Sequence, residues 1–251
     1  NQGKDLKEKH GARSAGKDVV LTVFFQRVKE VRKMKDIFLI RHGRQCSKLC
    51  NVDVSLDESG RKQAKLAGKR LISYQLEKLY CSQLIRAKET AEIIGHCVNL
   101  PVEEVADIEE IHFGGFTGKT DEQIRTEYAE FRKERAAHKE DLPYPEGGEC
   151  GCDVARRVMP KIKQICQREE NRVAIVTHGG VIRSVCADIL HTGQENKLKF
   201  GIDLENTSFT HLIYDEDRDF FILERFNDFA HLESHPELLR KNWKTSLERN
   251  G

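Results

Sequence analysis

Two hundred and fifty-one residues, 38% hydrophobic and 33% charged with 5 prolines, suffice for one domain with additions, or at most two, around a substantial core. A net charge of +1 removes any whole-molecule electrostatic case for nucleic acid or a membrane surface. That average conceals an asymmetry. Residues 1–35 hold ten Lys/Arg against four Asp/Glu, a net +6 that leaves the remainder near −5.

In chain order, residues 1–33 read as a basic N-terminal extension appended to the fold, and Met34-Lys35-Asp36 reads as the start of a folded domain covering 34–251. The best apolar run of the extension, Val19 to Phe25, is far too short to span a bilayer and lacks the small-residue cleavage site of a signal peptide. Ile37-Phe38-Leu39-Ile40 is a short apolar strand that runs straight into Arg41-His42-Gly43. Ser55-Leu56-Asp57-Glu58 has the capping-box pattern, and Ala64, Ala67, Gly68, Leu71 and Ile72 follow at helical spacing. A strand at Leu79-Tyr80-Cys81 leads through Ser82 into a second helix with Ala87, Ala91 and Ile94 on one face, and Pro101-Val102 opens a short strand or loop.

Residues 119–137 predict a charged helix, and Leu142 to Gly148, with two prolines and two glycines, a break. A helix over roughly 150–169 precedes the strand Val173-Ala174-Ile175-Val176, which ends in Thr177-His178-Gly179-Gly180 and gives way to a helix from Val181 to Leu190. Two alternating β segments, Ser208–Tyr214 and Phe220–Phe226, flank the polar turn Asp215-Glu216-Asp217-Arg218. The alternation predicts an α/β fold: a three-layer sandwich with a mostly parallel sheet flanked by helices, plus a C-terminal antiparallel β segment.

Eight cysteines (46, 50, 81, 97, 150, 152, 166 and 186) include no CxxC pair. A chain of this size needs no disulfide scaffold, and neither Cys46-x-x-x-Cys50 nor Cys150-Gly-Cys152 has zinc-finger spacing. Reduced thiols and a cytoplasmic protein without metal or cofactor are the expectation.

Two strands that each end in His-Gly deliver two imidazoles to one edge of a parallel sheet, the edge where ligands bind in open α/β sheets. A neutral imidazole at His42 can attack phosphorus and carry the phosphoryl group, and Arg41 beside it can grip two oxygens at once. Glycine at 43 lets the chain turn and leaves room for an anion. Arg86, in Ser82-Gln83-Leu84-Ile85-Arg86, falls at a strand-to-helix junction on the same edge. At His178, Gly179 permits close approach and the following helix N-terminus favours an anion. Glu110, followed four residues later by Gly114, sits among apolar and glycine residues, surroundings that can raise a carboxyl pKa and suit it to protonate a leaving group. Each residue alone is as readily a structural one: a histidine bonding a loop, a solvated helix arginine, one acid among Glu103, Glu104, Asp107, Glu109 and Glu110.

With all of these in order, the chain resembles the histidine phosphatase superfamily, the branch that contains phosphoglycerate mutases and their phosphatase relatives, from about Lys35 to Leu232. The resemblance implies that His42 is the phosphorylated nucleophile and Glu110 the proton donor, with Arg41, Arg86, His178 and Gly179 binding phosphate. Leu56 to Ala64, Pro145-Glu146-Gly147-Gly148-Glu149, Asn206-Thr207-Ser208 and Asn227-x-x-x-His231-Leu232 also resemble family segments. It implies a metal-independent phosphomonoester hydrolase acting on a small phosphorylated metabolite. Mutase-type transfer, or a non-catalytic domain that binds phospho-ligands or proteins, are the alternatives. After Arg-His-Gly the family commonly has Glu or Gln, then Thr, and an Asn three residues beyond; here stand Arg44, Gln45 and Lys48. The departure removes one expected contact to phosphate or leaving group, and the two cations suit either a more anionic substrate or a solvated surface. Substrate and oligomeric state are left open.

Overall fold

The first strand, β1 (Met34–Arg41), sets the layering. Side chains alternate across a strand, and here both faces are apolar: Ile37 and Leu39 enter one core, Phe38 and Ile40 the other. A strand buried on both sides belongs at the centre of a parallel sheet. The computed structural model, which describes residues 33–137, 139–201 and 203–240, places it there. The predicted basic extension lies outside the described residues except for Lys33.

Six strands form one sheet in the order β3-β2-β4-β1-β5-β6. β2 (Lys78–Cys81), β3 (Val102–Glu104) and β4 (Arg172–Thr177) run parallel with β1, whereas β5 (Phe209–Asp215) and β6 (Phe220–Asp228) add an antiparallel hairpin. One face is covered by α1 (Glu58–Leu71) and α2 (Ile85–Val98), through Ala67, Leu71, Ala87, Ala91 and Ile94. The other is covered by α5 (Gly151–Cys166) and α6 (Gly179–Ile189), through Val154, Val158, Ile162, Val181, Ile182 and Val185. The result is the three-layer sandwich with its C-terminal antiparallel pair.

Two local expectations change. The first helix is capped by Asp57, whose carboxylate accepts from the Gly60 N–H at 2.7 Å, rather than by Ser55. Ser55 and Leu56 are held extended, by the Cys46 N–H on the Ser55 carbonyl and a bridge between Gln45 and Leu56, so the helix begins at the next acceptor side chain. The charged run 119–137 is two helices, α3 (Asp121–Glu127) and α4 (Ala129–Ala136), broken at Tyr128. The Tyr128 hydroxyl donates to Glu146 at 2.8 Å and lies 3.1 Å from the Gly115 carbonyl, fixing the ring against Phe116, and this tertiary anchoring overrides the helix propensity of its neighbours.

The parallel register of β1 and β4 positions the two histidines. Arg41 pairs with Thr177 across these strands, and the His42 N–H donates to the Thr177 carbonyl at 3.0 Å. The residues next in the chain after each strand therefore leave the sheet side by side.

Candidate active site

His42 and His178 are buried next to each other, ring centroids 5.2 Å apart. The Nδ1 of His42 lies 2.7 Å from the Gly43 carbonyl. A carbonyl can only accept, so Nδ1 carries the proton and Nε2 keeps a bare lone pair. Arg86, itself buried, directs its Nε–H at that lone pair from 3.3 Å. The backbone at His42 is clamped as well: its carbonyl accepts from Asn206 Nδ2 at 2.9 Å, and the Thr207 N–H bonds the Arg41 carbonyl. Thr207 in turn contacts His231 at 3.0 Å, and the Asn227 side chain holds the Glu205 N–H and the Asp203 carbonyl. The late Asn-Thr-Ser and Asn-x-x-x-His segments thus frame the histidine backbone.

Burial, and after it the charges of Arg86 and Arg41, hold the His42 pKa well below the usual imidazole value. Burial and then Arg86 do the same to His178. Both rings are neutral at pH 7. Burial, followed by Arg240, draws the Arg41 guanidinium down to about 9, which leaves it charged. Arg41 donates one terminal N–H to the Leu204 carbonyl, while its Nε is buried without a hydrogen-bond partner among the described residues. The Nδ1 of His178 is likewise buried and unpartnered, while its Nε2 contacts the Ser82 hydroxyl at 2.6 Å. Buried polar atoms left unpaired are costly, and atoms of this kind beside a charged guanidinium suit the oxygens of an anion.

Glu110 enters from the loop after β3. Its Oε1 accepts from the N–H groups of Gly180 (2.9 Å) and Ile111 (3.0 Å), so the N-terminus of α6 serves this carboxylate. Arg157, paired with Glu149 at 2.8 Å, also donates to the Glu110 carbonyl, tying the loop to α5. Glu103, Glu104 and Asp107 are tied to Lys78, Lys88 and Lys161. Among the five neighbouring acids of this segment, Glu110 is the one that lines the cleft.

The cleft, about 650 Å³, is lined by Arg41, His42, Arg86 and Glu110, among others. His178 lies behind it, against His42 and Ser82. Gly179 instead borders an adjoining chamber, beside Arg41. Gly43 adopts no left-handed conformation; it is glycine because a Cβ would come within 2.7 Å of the Gly60 carbonyl. Room for an anion is not the reason.

Sequence reasoning missed three contributors. Asn51, from the loop after β1, accepts from Arg86 at 2.8 Å; it lies three residues beyond the position where the family pattern has an Asn. Ser82 and Arg240 come from two separate segments, and only the chain's path in space brings them here, whereas Asn206 belongs to the late segment that the resemblance singles out. Lys48 is exposed on the cleft rim, and Arg44 is engaged by carbonyls of the C-terminal segment.

The neutral buried imidazoles predict how stability responds to acid. His231 joins them, drawn down to about 4 mainly by burial. Above pH 6.5 neither the folded nor the unfolded chain protonates these rings. Below it the unfolded chain binds protons that the folded one refuses, so stability falls at up to about 1.4 kcal/mol per pH unit for each ring. Thermal melts at pH 7.5 and 5.5 should show a clearly lower Tm at 5.5; equal values would contradict the assignment.

A parallel sheet whose ligand-binding edge gathers two imidazoles, two guanidinium groups and a carboxylate defines an α/β enzyme built around an anion site. The family model for the histidine phosphatase superfamily (branch 1) matches residues 37–228, and the chain belongs to that superfamily. It is 30% identical over 215 residues to the metal-independent phosphoserine phosphatase of Arabidopsis thaliana, covering 82% of this chain and 87% of the relative. It is also 30% identical to a glucosyl-3-phosphoglycerate phosphatase of Mycobacterium tuberculosis, over 72% of this chain and 86% of that one. Among solved structures, a mycobacterial glucosyl-3-phosphoglycerate phosphatase with inorganic phosphate superimposes with a TM-score of 0.71 at 28% identity, over 78% of this chain and 99% of the other.

Proposed function

We propose that this chain is a phosphomonoester hydrolase that acts on a small phosphorylated metabolite through a phosphohistidine at His42. The observation that carries the proposal is the Nδ1–Gly43 carbonyl bond, which leaves Nε2 of a buried neutral ring unprotonated and facing Arg86. In the first step Nε2 attacks phosphorus in line, the bond to the ester oxygen breaks, and Glu110 gives its proton to the departing alkoxide. In the second step water attacks phosphorus, Glu110 takes a proton from it, the N–P bond breaks and phosphate leaves. Arg41, Arg86 and His178 hold the equatorial oxygens, with charge and donors fixed before the substrate arrives. Gly179 sits beside Arg41, and a Cβ there would touch its Nε at 3.6 Å.

The relatives named phosphoserine phosphatase and glucosyl-3-phosphoglycerate phosphatase support a small metabolite as substrate. All eight cysteines are free thiols, which fits a reducing compartment, and we assign the enzyme to the cytoplasm. No helix among the described residues is long and apolar enough to cross a membrane. The family match begins at residue 37, which supports a catalytic domain from 34 onward with residues 1–33 appended.

A panel of phosphorylated metabolites assayed for phosphate release, with 3-phosphoglycerate isomerisation followed in parallel, tests this reading. Phosphate release is the expected result; isomerisation without release would overturn it. Gly180 offers a second test. A Cβ at this position would lie 2.5 Å from Glu110 Oε1 and 2.7 Å from Ile111 Cγ2. Gly180→Ala should displace the carboxylate together with the Ile111 side chain, lowering kcat by roughly 10- to 100-fold and lowering the Tm as well. Unchanged kcat would mean that Glu110 is not held for the chemistry.

A further inference from the structure

The chamber beside the cleft carries positive charge that the phosphoryl site does not use. About 230 Å³ in volume, it is lined by Arg41, Arg135, Arg183, Lys197 and Arg240 against two acids, Glu110 and Asp203. Not all of these cations are available. Lys197 is paired with Asp141, and Arg183 donates to the carbonyls of Phe200 and Gly201 near Asp203. Arg135 lies over the Tyr144 ring at 4.0 Å, with a buried Nη1 that has no hydrogen-bond partner among the described residues. Arg240 lines both chamber and cleft, and its guanidinium makes no ion pair among the described residues. Arg240 and Arg183 both depress Arg41, a repulsion between like charges that a second anion would relieve.

Arg240 is held in place from several sides. After β6 the chain forms a small apolar cluster of Leu232, Leu238 and Leu239 against Leu66 and Phe229. Arg44 Nη2 donates to the carbonyls of Leu238 (2.7 Å) and Leu239 (3.1 Å), and Gln63 donates to Leu238 at 2.7 Å. Both carboxylate oxygens of Glu205 accept the Arg240 N–H, at 3.2 and 3.1 Å. The backbone at 238–240 is thus fixed by side chains from three segments, and Arg44, one of the three residues that depart from the family pattern, supplies two of the bonds.

We propose that Arg240, seconded by Arg135, is a specificity-determining residue that reads a second anionic group, carboxylate or phosphate, on the alcohol portion of the substrate, and that Arg44 is its positioning residue. The inference rests on the hydrolase reading above. A guanidinium matches either anion through paired hydrogen bonds, and a site built to pair a charged group rejects the analogue that lacks it.

Three esters of one carbon skeleton separate the possibilities: 3-hydroxypropyl phosphate as reference, 3-phosphooxypropanoate, and propane-1,3-diol bisphosphate. Wild type should favour one of the two esters with an anionic tail over the reference by at least about tenfold in kcat/KM, and the favoured one identifies the anion. Arg240→Leu should lower that ratio to near one, Arg240→Lys should keep only part of it because an ammonium cannot pair two oxygens, and Arg44→Gln should lower it through KM. Because the ratio cancels effects common to all three esters, a general loss of activity does not mimic the result. Turnover without preference, or a preference equal in wild type and Arg240→Leu, overturns the inference alone. No release from any ester overturns the hydrolase reading and this inference with it.

Discussion

Replacing His42 with alanine removes turnover: phosphate release should fall by roughly 10⁵-fold, to the rate left by binding and electrostatics alone. The size of the loss reflects the site's construction. Arg41, Arg86 and His178 can stabilise charge on a phosphoryl group, but none of them presents an unprotonated lone pair in the way that Nε2 of His42 does, freed by the Nδ1 bond to Gly43. Substrate affinity should survive, because the guanidinium groups proposed to hold phosphate remain. Kinetics of His42→Ala on the best ester of the panel, with binding measured separately, check this directly. Retention of more than a few per cent of kcat would remove covalent catalysis from the mechanism. A non-catalytic phospho-ligand domain, by contrast, shows no turnover to lose.

The second large effect is at Glu110. Glu110→Gln keeps acceptor and shape but cannot shuttle a proton, so turnover of alkyl phosphates should fall about 10²- to 10⁴-fold. The signature lies in the dependence on leaving group. Nitrophenolate departs without a proton, so the first step on p-nitrophenyl phosphate should be nearly preserved. The second step, which needs the same carboxylate to activate water, should not. Rapid mixing of this variant should therefore give a burst of nitrophenolate stoichiometric with enzyme, then slow turnover. Equal loss on both esters without a burst would place Glu110 outside the chemistry and leave it a loop anchor for Gly180 and Ile111.

The features of the fold legible in the sequence are those whose cause is local. β1 and β4 are apolar runs that end in His-Gly, and a doubly buried parallel strand has to be written that way. Arg86, two residues into α2, and Glu110 could be singled out because the family resemblance gave positions that are individually ordinary. Where tertiary contacts decide, residue patterns are silent. The break at Tyr128 depends on a hydroxyl reaching Gly115 and Glu146. The capping residue of α1 depends on a bridge between Gln45 and Leu56. Asn51 reaches Arg86 from a loop with a left-handed residue, Asn51 itself at φ 46°, and no pattern of residue types announces that path. Arg44, which from sequence suits substrate or solvent equally, holds two main-chain carbonyls nearly two hundred residues away. The N-terminus of α6 is expected from sequence to face phosphate, whereas its Gly180 N–H binds the Glu110 carboxylate. Helix termini attract anions, and here the chain supplies its own.

The most direct test of the central claim is rapid-quench trapping with a ³²P-labelled ester, then peptide mapping under alkaline conditions. The mechanism predicts an acid-labile, alkali-stable label on the peptide that holds His42, formed faster than phosphate is released and absent from His42→Ala. Phosphate release in a single step without that intermediate, or label on His178 or any other side chain, would contradict it.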